Sequence, residues 1–457
     1  MKPLRFLAFL GAICFLLAGF AQPAAAFCGF FVSQADADLF NQASQVIIAR
    51  DGDRNILTMA NDYQGNVQDF ALVVPVPVAI TEEQVNVGDP NIISRLDEFT
   101  APRLVEYFDG NPCEVYRPSA PGRGVTDTAV PETVAADRAR EDALGVTIEA
   151  RFTVGEYDVL VLSAQESSGL ETWLRQNDYS LPQGASRVLQ PYIRQEFKFF
   201  VAKVNLEEFE QSEFQSLRPL MIAYESPRFM LPIRLGMLNA KGDQDLIAYI
   251  LTPSGRVEVS NYRTVPIASN LNIPEFVEDE FGKFYKAMFQ TSYENEQKEA
   301  AFLEYAWDMA WCDPCAANPL TPEELRQAGV FWLDNRPGDP ERRIRPNPGG
   351  PQNVYVTRLH VRYSRNKFPE DLSFQATGNR ENYQGRYIIQ RPYRGEMTCD
   401  AAAEYRDYVR DRQELELDTV VKLTGWDKAD LRNKVDWLDD PPSKPDDEPW
   451  WRDIWNR

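Results

Sequence analysis

The sequence has a single histidine, His360, in 457 residues, so the His-Glu-x-x-His zinc motif and every site needing two imidazoles are excluded. Base is in short supply as well: 48 Lys and Arg face 69 Asp and Glu, for a formal charge of −21. Such a surface repels a phosphate backbone, which excludes nucleic acid as an expected partner. Beyond the first 26 residues no uninterrupted apolar run approaches the roughly 20 residues that span a bilayer. Collagen-like repeats, coiled-coil heptads and low-complexity tracts are missing. The P-loop, the dinucleotide glycine fingerprint and the Gly-x-Ser-x-Gly elbow are missing too. No residue is therefore nominated as catalytic, cofactor-binding or metal-ligating, and no cofactor is expected. Acidic runs such as Glu278 to Glu280 and Asp446 to Glu448 lack the frame of a calcium loop and read as solvated faces.

What is present begins with an export signal. Lys2 and Arg5 precede an apolar run from Phe6 to Phe20, and Ala24, Ala25 and Ala26 supply the small residues of a cleavage site. The expectation is a signal peptide over residues 1–26 and a mature chain starting at Phe27, exported to the periplasm or the exterior. Phe27 stands directly before Cys28, where lipid attachment would need a small residue. Losing Lys2 and Arg5 takes the net charge from −21 to −23.

Cys14 leaves with the leader, so Cys28, Cys113, Cys312, Cys315 and Cys399 remain in an oxidising setting where pairing is the default. Five is odd, and spacing does not decide the connectivity. The preferred set is Cys28 with Cys113 and Cys312 with Cys315, leaving Cys399 free. Cys315 with Cys399 is the close competitor.

With 44% hydrophobic residues the chain can bury a large core, and its rhythm is α+β, with mixed, mainly antiparallel sheets. A β-rich unit is expected over 27–116, with strands at Gln45 to Ala49, Ile56 to Ala60 and Phe70 to Val76. Residues 117–145 are rich in Pro, Gly, Ala and charge and read as a mobile loop. An α+β main body follows over 146–400, with strands at Val146 to Val154, Tyr157 to Ala164, Glu196 to Val204, Pro219 to Tyr224, Phe229 to Leu238, Asp245 to Leu251, Arg256 to Tyr262, Val354 to Tyr363 and Arg386 to Gln390. The region around 274–329 reads as helical: Pro274 to Phe289, then Glu294 to Trp311, then a helix capped by Thr321 with Glu324 and ended by Gly329. Residues 401–457 form a helical, acidic extension.

Two constellations invite chemistry. Trp311-Cys312-Asp313-Pro314-Cys315 resembles the site of thioredoxin-like oxidoreductases, but it follows a stretch read as helix and Asn318-Pro319 opposes a helix beginning at Cys315. Cys312, Cys315, Cys399 and His360 could form a Cys3His zinc set, which the oxidising compartment opposes. The alternation of Leu359, Val361 and Tyr363 against Arg358, His360 and Arg362 puts His360 on a polar strand face, so a solvated or hydrogen-bonded surface histidine is expected.

The segments Phe27 to Phe31, Tyr63 to Gly65 with Phe70 to Pro77, Leu231 to Leu235, Cys312 to Cys315 and Tyr383 to Tyr387 together resemble an uncharacterised bacterial exported family, domain of unknown function 2330. The resemblance implies export, cysteine pairing and a mixed-sheet protein, and it brings no catalytic residue, substrate or cofactor. The expected role is a non-catalytic envelope-associated binding or structural component with an unidentified envelope or extracellular ligand. The alternative is an exported enzyme, either a thiol-disulfide oxidoreductase using Cys312 and Cys315 or a carboxylate-based hydrolase.

Overall fold

The structure is a computed structural model; it describes residues 30–31, 40–41, 44–60, 63–64, 71–114, 145–177, 179, 184–211, 217–238, 242–312, 315, 317–333 and 353–438. The expected leader, Cys28, residues 117–144 of the expected mobile loop, residues 334–352 and the tail beyond 438 lie outside the described residues.

In chain order, the elements that matter begin with β1 (Phe30–Phe31), β2 (Ser44–Asp51), β3 (Arg54–Met59), β4 (Ala71–Val76) and β5 (Val85–Val87). They continue with α1 (Asn91–Thr100), β6 (Arg103–Phe108), β7 (Val146–Val154), β8 (Tyr157–Ala164), α2 (Ser167–Gln176) and α3 (Ala185–Arg194). Next come β9 (Lys198–Val204), β10 (Leu220–Glu225), β11 (Gln244–Thr252), β12 (Arg263–Pro266), α4 (Phe281–Asn295) and β13 (Ala300–Asp308). The last are α5 (Pro322–Gln327), β14 (Tyr355–Tyr363), β15 (Tyr383–Gln384), β16 (Arg386–Arg391) and α6 (Ala401–Thr424).

Two sheets face each other. One has the order β1-β4-β9-β8-β7, and the other β12-β13-β14-β11-β2-β3-β10-β5, with β15 added to β13. Most pairs are antiparallel, but β2 with β11 and β12 with β13 are parallel, so the sheets are mixed and the fold is α+β. Val46, Ile48, Leu246, Ile250, Leu303 and Leu359 of the large sheet meet Leu72, Val74, Val159, Val161 and Phe200 of the small one in a single apolar cluster. These aliphatic and aromatic side chains fill the space between the two pleated faces. The outer face of the small sheet is covered by α2 and α3 through Leu170, Leu174, Leu189 and Tyr192. On the outer face of the large sheet, α1 and α5 cover one part, and α4 and α6 another. The order of layers is therefore helix, sheet, sheet, helix.

Several turns follow from single residues. Gly155 closes the tight β7–β8 hairpin with φ +51°, where an added Cβ would strike Arg218 and Val87. Thr321 caps α5 in a reciprocal pair with Glu324, as its spacing requires. Gly425, at φ +71°, ends α6 by donating its N–H to the Val421 carbonyl.

Three expectations are corrected. Glu294 to Trp311 is not a helix: α4 stops at Asn295, and Ala300–Asp308 is an interior strand buried almost throughout. A continuous apolar run buried on both faces carries no period by which to tell strand from helix. Of the strand expected at Phe229 to Leu238, only Met230–Leu231 forms, before a 3-10 turn at Gly236–Leu238.

The third correction concerns the cysteines. Cys113 is bonded to Cys399, not to Cys28, and Cys399 is neither free nor paired with Cys315; the expected Cys312–Cys315 bond is present. The cause is the parallel pairing of β6 with β16, from Arg103 opposite Arg386 to Phe108 opposite Arg391. Parallel strands leave the sheet at the same end, so the segments beyond Phe108 and Arg391 emerge together and bring the two Cα atoms to 5.6 Å.

Candidate functional site

The face of β14 that carries Arg358, His360 and Arg362 is covered, and the charges on it are buried. Leu359 and Val361 point between the sheets, so the alternating charges must point outward toward the helices. There α1 and α4 close over them. His360 is 9% exposed and lies against the Phe289 ring of α4, with centroids 3.8 Å apart and planes 16° from parallel. The expectation of a surface histidine fails because alternation identifies which residues share a face and says nothing of what packs against it.

Opposite charges come from the neighbouring strands. Asp245 stands directly across from Arg362 on β11. Glu304 comes from an irregularity in β13: Leu303 pairs with Leu359 and Tyr305 with Arg358, which leaves Glu304 as an extra residue. A bulge of this kind resets the alternation, turning Glu304 and Tyr305 to the same covered side. Glu304 has no exposure. Its Oε2 accepts from Arg358 Nε at 2.5 Å, and its Oε1 contacts His360 Nδ1 at 2.8 Å and accepts from the Tyr285 hydroxyl.

The contacts continue in both directions. Arg358 Nη1 donates to Asp97 Oδ1 of α1 at 2.6 Å, and that oxygen also accepts from the Tyr249 hydroxyl at 2.8 Å. His360 Nε2 lies 3.1 Å from Asp245 Oδ1, which accepts from Arg362 Nε at 2.7 Å, while Asp245 Oδ2 accepts from Arg362 Nη2 at 2.8 Å. Arg362 then reaches Gln290 of α4 at 2.7 Å. The result is a ladder of alternating sign: Asp97, Arg358, Glu304, His360, Asp245, Arg362.

Electrostatics follow from this order. Burial favours a neutral Glu304, but Arg358 and His360 outweigh it and hold the carboxyl at about 2. Burial likewise opposes the imidazolium, and Glu304 with Asp245 overcomes it, so His360 titrates above its ordinary value. A neutral imidazole can donate to only one of its two carboxylates, whereas the imidazolium donates to both. Protonation also makes the six-membered ladder neutral. Burial, reinforced by Glu304, pushes the Tyr285 hydroxyl well up.

Chemically this is a closed arrangement. Each oxygen of Glu304 is engaged by a donor or the imidazole, and the carboxylate is a weak base at the value it holds. Its evident work is to fasten α1 and α4 to the sheet. No sequence motif marks it. The available signal was a lone glutamate inside the apolar run Ala300 to Trp307, since a charge in a buried strand requires a partner.

The other sequence candidates separate. Cys312, Cys315 and Cys399 are all in disulfides, and His360 is held by two carboxylates, so the Cys3His grouping does not form. The Cys312–Cys315 bond follows strand β13 and not a helix, which removes one objection to an oxidoreductase site. The other objection stands: among the described residues the next helix, α5, begins only at Pro322 and does not start at Cys315. Cys315 is exposed, as is Trp311 at 48%, while Cys312 packs against the α1/α5 core. Between α2 and α3 an open cleft is lined by Ser167, Ser186, Arg187, Gln190, Pro191 and Arg194.

Among known proteins, a family model described as "Uncharacterized protein conserved in bacteria (DUF2330)" matches residues 22–375. No curated protein and no solved structure matches.

Proposed function

The chain belongs to this uncharacterized bacterial family, and on that premise we propose that it is an exported protein acting as a non-catalytic binding or structural component of the cell envelope. The observation that carries the reading is the Cys113–Cys399 bond, which joins residues 286 apart. A bond of that kind persists in an oxidising compartment, in keeping with the basic, apolar and small-residue order of residues 1–26. Closing so long a loop restricts the unfolded chain by on the order of 5 kcal/mol in a chain-entropy account, a reinforcement suited to life outside the cytoplasm. The ladder centred on Glu304 adds to it, because its charges are spent on one another. Among the described residues no helix is long and apolar enough to cross a membrane.

The exposure of Cys315 favours a second reading, thiol-disulfide exchange at Cys312 and Cys315. One experiment addresses both. The full chain, with and without residues 1–26, is expressed in a bacterium, fractionated, and the mature form assayed for turnover of a model disulfide. The expected result is export of the full chain with loss of residues 1–26, cytoplasmic retention of the truncated chain, and no turnover. Retention of the full chain in the cytoplasm contradicts export; turnover abolished by Cys312→Ser with Cys315→Ser favours the enzyme.

A further inference from the structure

The helix α6 is docked in two different ways along its length. Its last part is apolar: Leu417 and Val420 are fully buried in the cluster built by Phe284, Met288, Phe289 and Tyr387. Its first part is held by polar groups that converge on Asp109, just past the end of β6. Arg412 Nη1 lies 2.9 Å from Asp109 Oδ2, the Tyr405 hydroxyl donates to the same oxygen at 2.7 Å, and Gln390 donates to Asp109 Oδ1 at 2.6 Å. Ala402 and Val409 are buried there, but neither joins that apolar cluster. Two residues before α6 begins, Cys399 is bonded to Cys113 on the β6 side of the same junction. Both cysteines are half-buried, with exposed neighbours at Glu114, Thr398 and Asp400.

We propose that the Cys113–Cys399 bond is a redox-sensitive strap for the first half of α6. A dithiol reductant attacks one sulfur as a thiolate, forms a mixed disulfide and releases the other cysteine as a thiol. The second thiol of the reductant then displaces the first cysteine. Two electrons and two protons pass from the reductant, which leaves as a disulfide, and Cys113 and Cys399 become thiols. With the strap open, residues 401–413 are held by polar contacts to Asp109, Gln390, Tyr393, Asp436 and Leu438 and by the buried Ala402 and Val409, while residues 417–424 stay anchored in the apolar cluster. Local opening of this sort is confined to the element with the fewest apolar contacts.

Hydrogen exchange read by mass spectrometry tests the strap on the full mature chain, oxidised and after dithiothreitol. Three forms are compared: wild type, Cys113→Ser with Cys399→Ser, and Cys312→Ser with Cys315→Ser. The expected result is exchange over 401–413 faster by about tenfold or more in the reduced wild type and in the Cys113/Cys399 variant, and by a clearly larger factor than over 417–424 and the sheets. The oxidised Cys312/Cys315 variant should match the oxidised wild type over 401–413. Unchanged exchange over 401–413 after reduction overturns the proposal. Loss of protection by the same factor along the whole chain also overturns it, because the bond is then a global staple only. Should the Cys113/Cys399 variant fail to fold, the reduced wild type alone decides.

Discussion

Glu304 is held by three side chains from two elements: Arg358 and His360 from β14 and Tyr285 from α4. Removing its charge leaves Arg358 and His360 buried without their shared partner, and breaking a buried pair on one side costs on the order of 3–5 kcal/mol. Glu304→Gln should therefore lower the urea unfolding free energy by that order. The pH dependence has two signs. The folded carboxyl at about 2 lies below its unfolded value of 4.5, so its stabilisation is present above 4.5 and is lost as pH falls toward 2. The folded imidazole lies above its ordinary value of 6.5, so its stabilisation is complete below 6.5 and is lost as pH rises through the folded value. Because His360 is the only imidazole in the chain, its NMR signals titrate without overlap. The titration should fall above 6.5 in the wild type and move down in Glu304→Gln; a wild-type value at or below 6.5 would mean the ladder does not hold a proton. At this scale the sequence was half legible. Alternation put Arg358, His360 and Arg362 on one face, but Glu304 joins them only through a bulge, and the covering side chains of α4 lie some 70 residues earlier in the chain.

The elements read from sequence best where a local device fixes them. The Thr321 and Glu324 capping pair starts α5, Gly425 stops α6, and the Gly155 turn sets the β7–β8 hairpin. Where burial alone decides, the reading fails. Strand β13 looks helical because both of its faces are apolar, and β6 went unrecognised because its pairing with β16 is parallel and has no hairpin turn to announce it. Helix α6 was legible, yet it buries charge on its packed side. Arg412 is drawn to Asp109, leaving Glu416 with a 3.4 Å contact to Arg412 Nε. Burial raises the Glu416 carboxyl to about 8, with Arg412 opposing and Glu275 and Asp109 adding to the shift. Its folded value lies above the unfolded 4.5, so the native state holds the extra proton and stability falls as pH rises from 4.5 through about 8. Glu416→Gln keeps the shape without the charge. Above pH 8 it should exceed the wild type in stability by on the order of 1–3 kcal/mol, with a flatter pH profile in denaturant titrations. A variant less stable than wild type at that pH would show that Arg412 needs the charge.

At the scale of the whole molecule the fold is built from distant partners. Strand β2, from the start of the chain, lies between β3 and β11, and β13 and β14 extend the same sheet. Sequence pattern gave the α+β class and the mixture of sheets, since those depend on the sum of local periods. It did not give the cysteine connectivity, because Cys113 meets Cys399 only once β6 and β16 have paired in parallel. That bond is also what the proposed export and the strap on α6 share. The most direct measurement is peptide mapping, under non-reducing conditions, of the protein recovered from its producing cells. The account predicts an N-terminus at Phe27, a Cys113–Cys399 link, a Cys312–Cys315 link and one cysteine, Cys28, outside both. An intact leader with free thiols at Cys113 and Cys399, or a Cys28–Cys113 link, would contradict it.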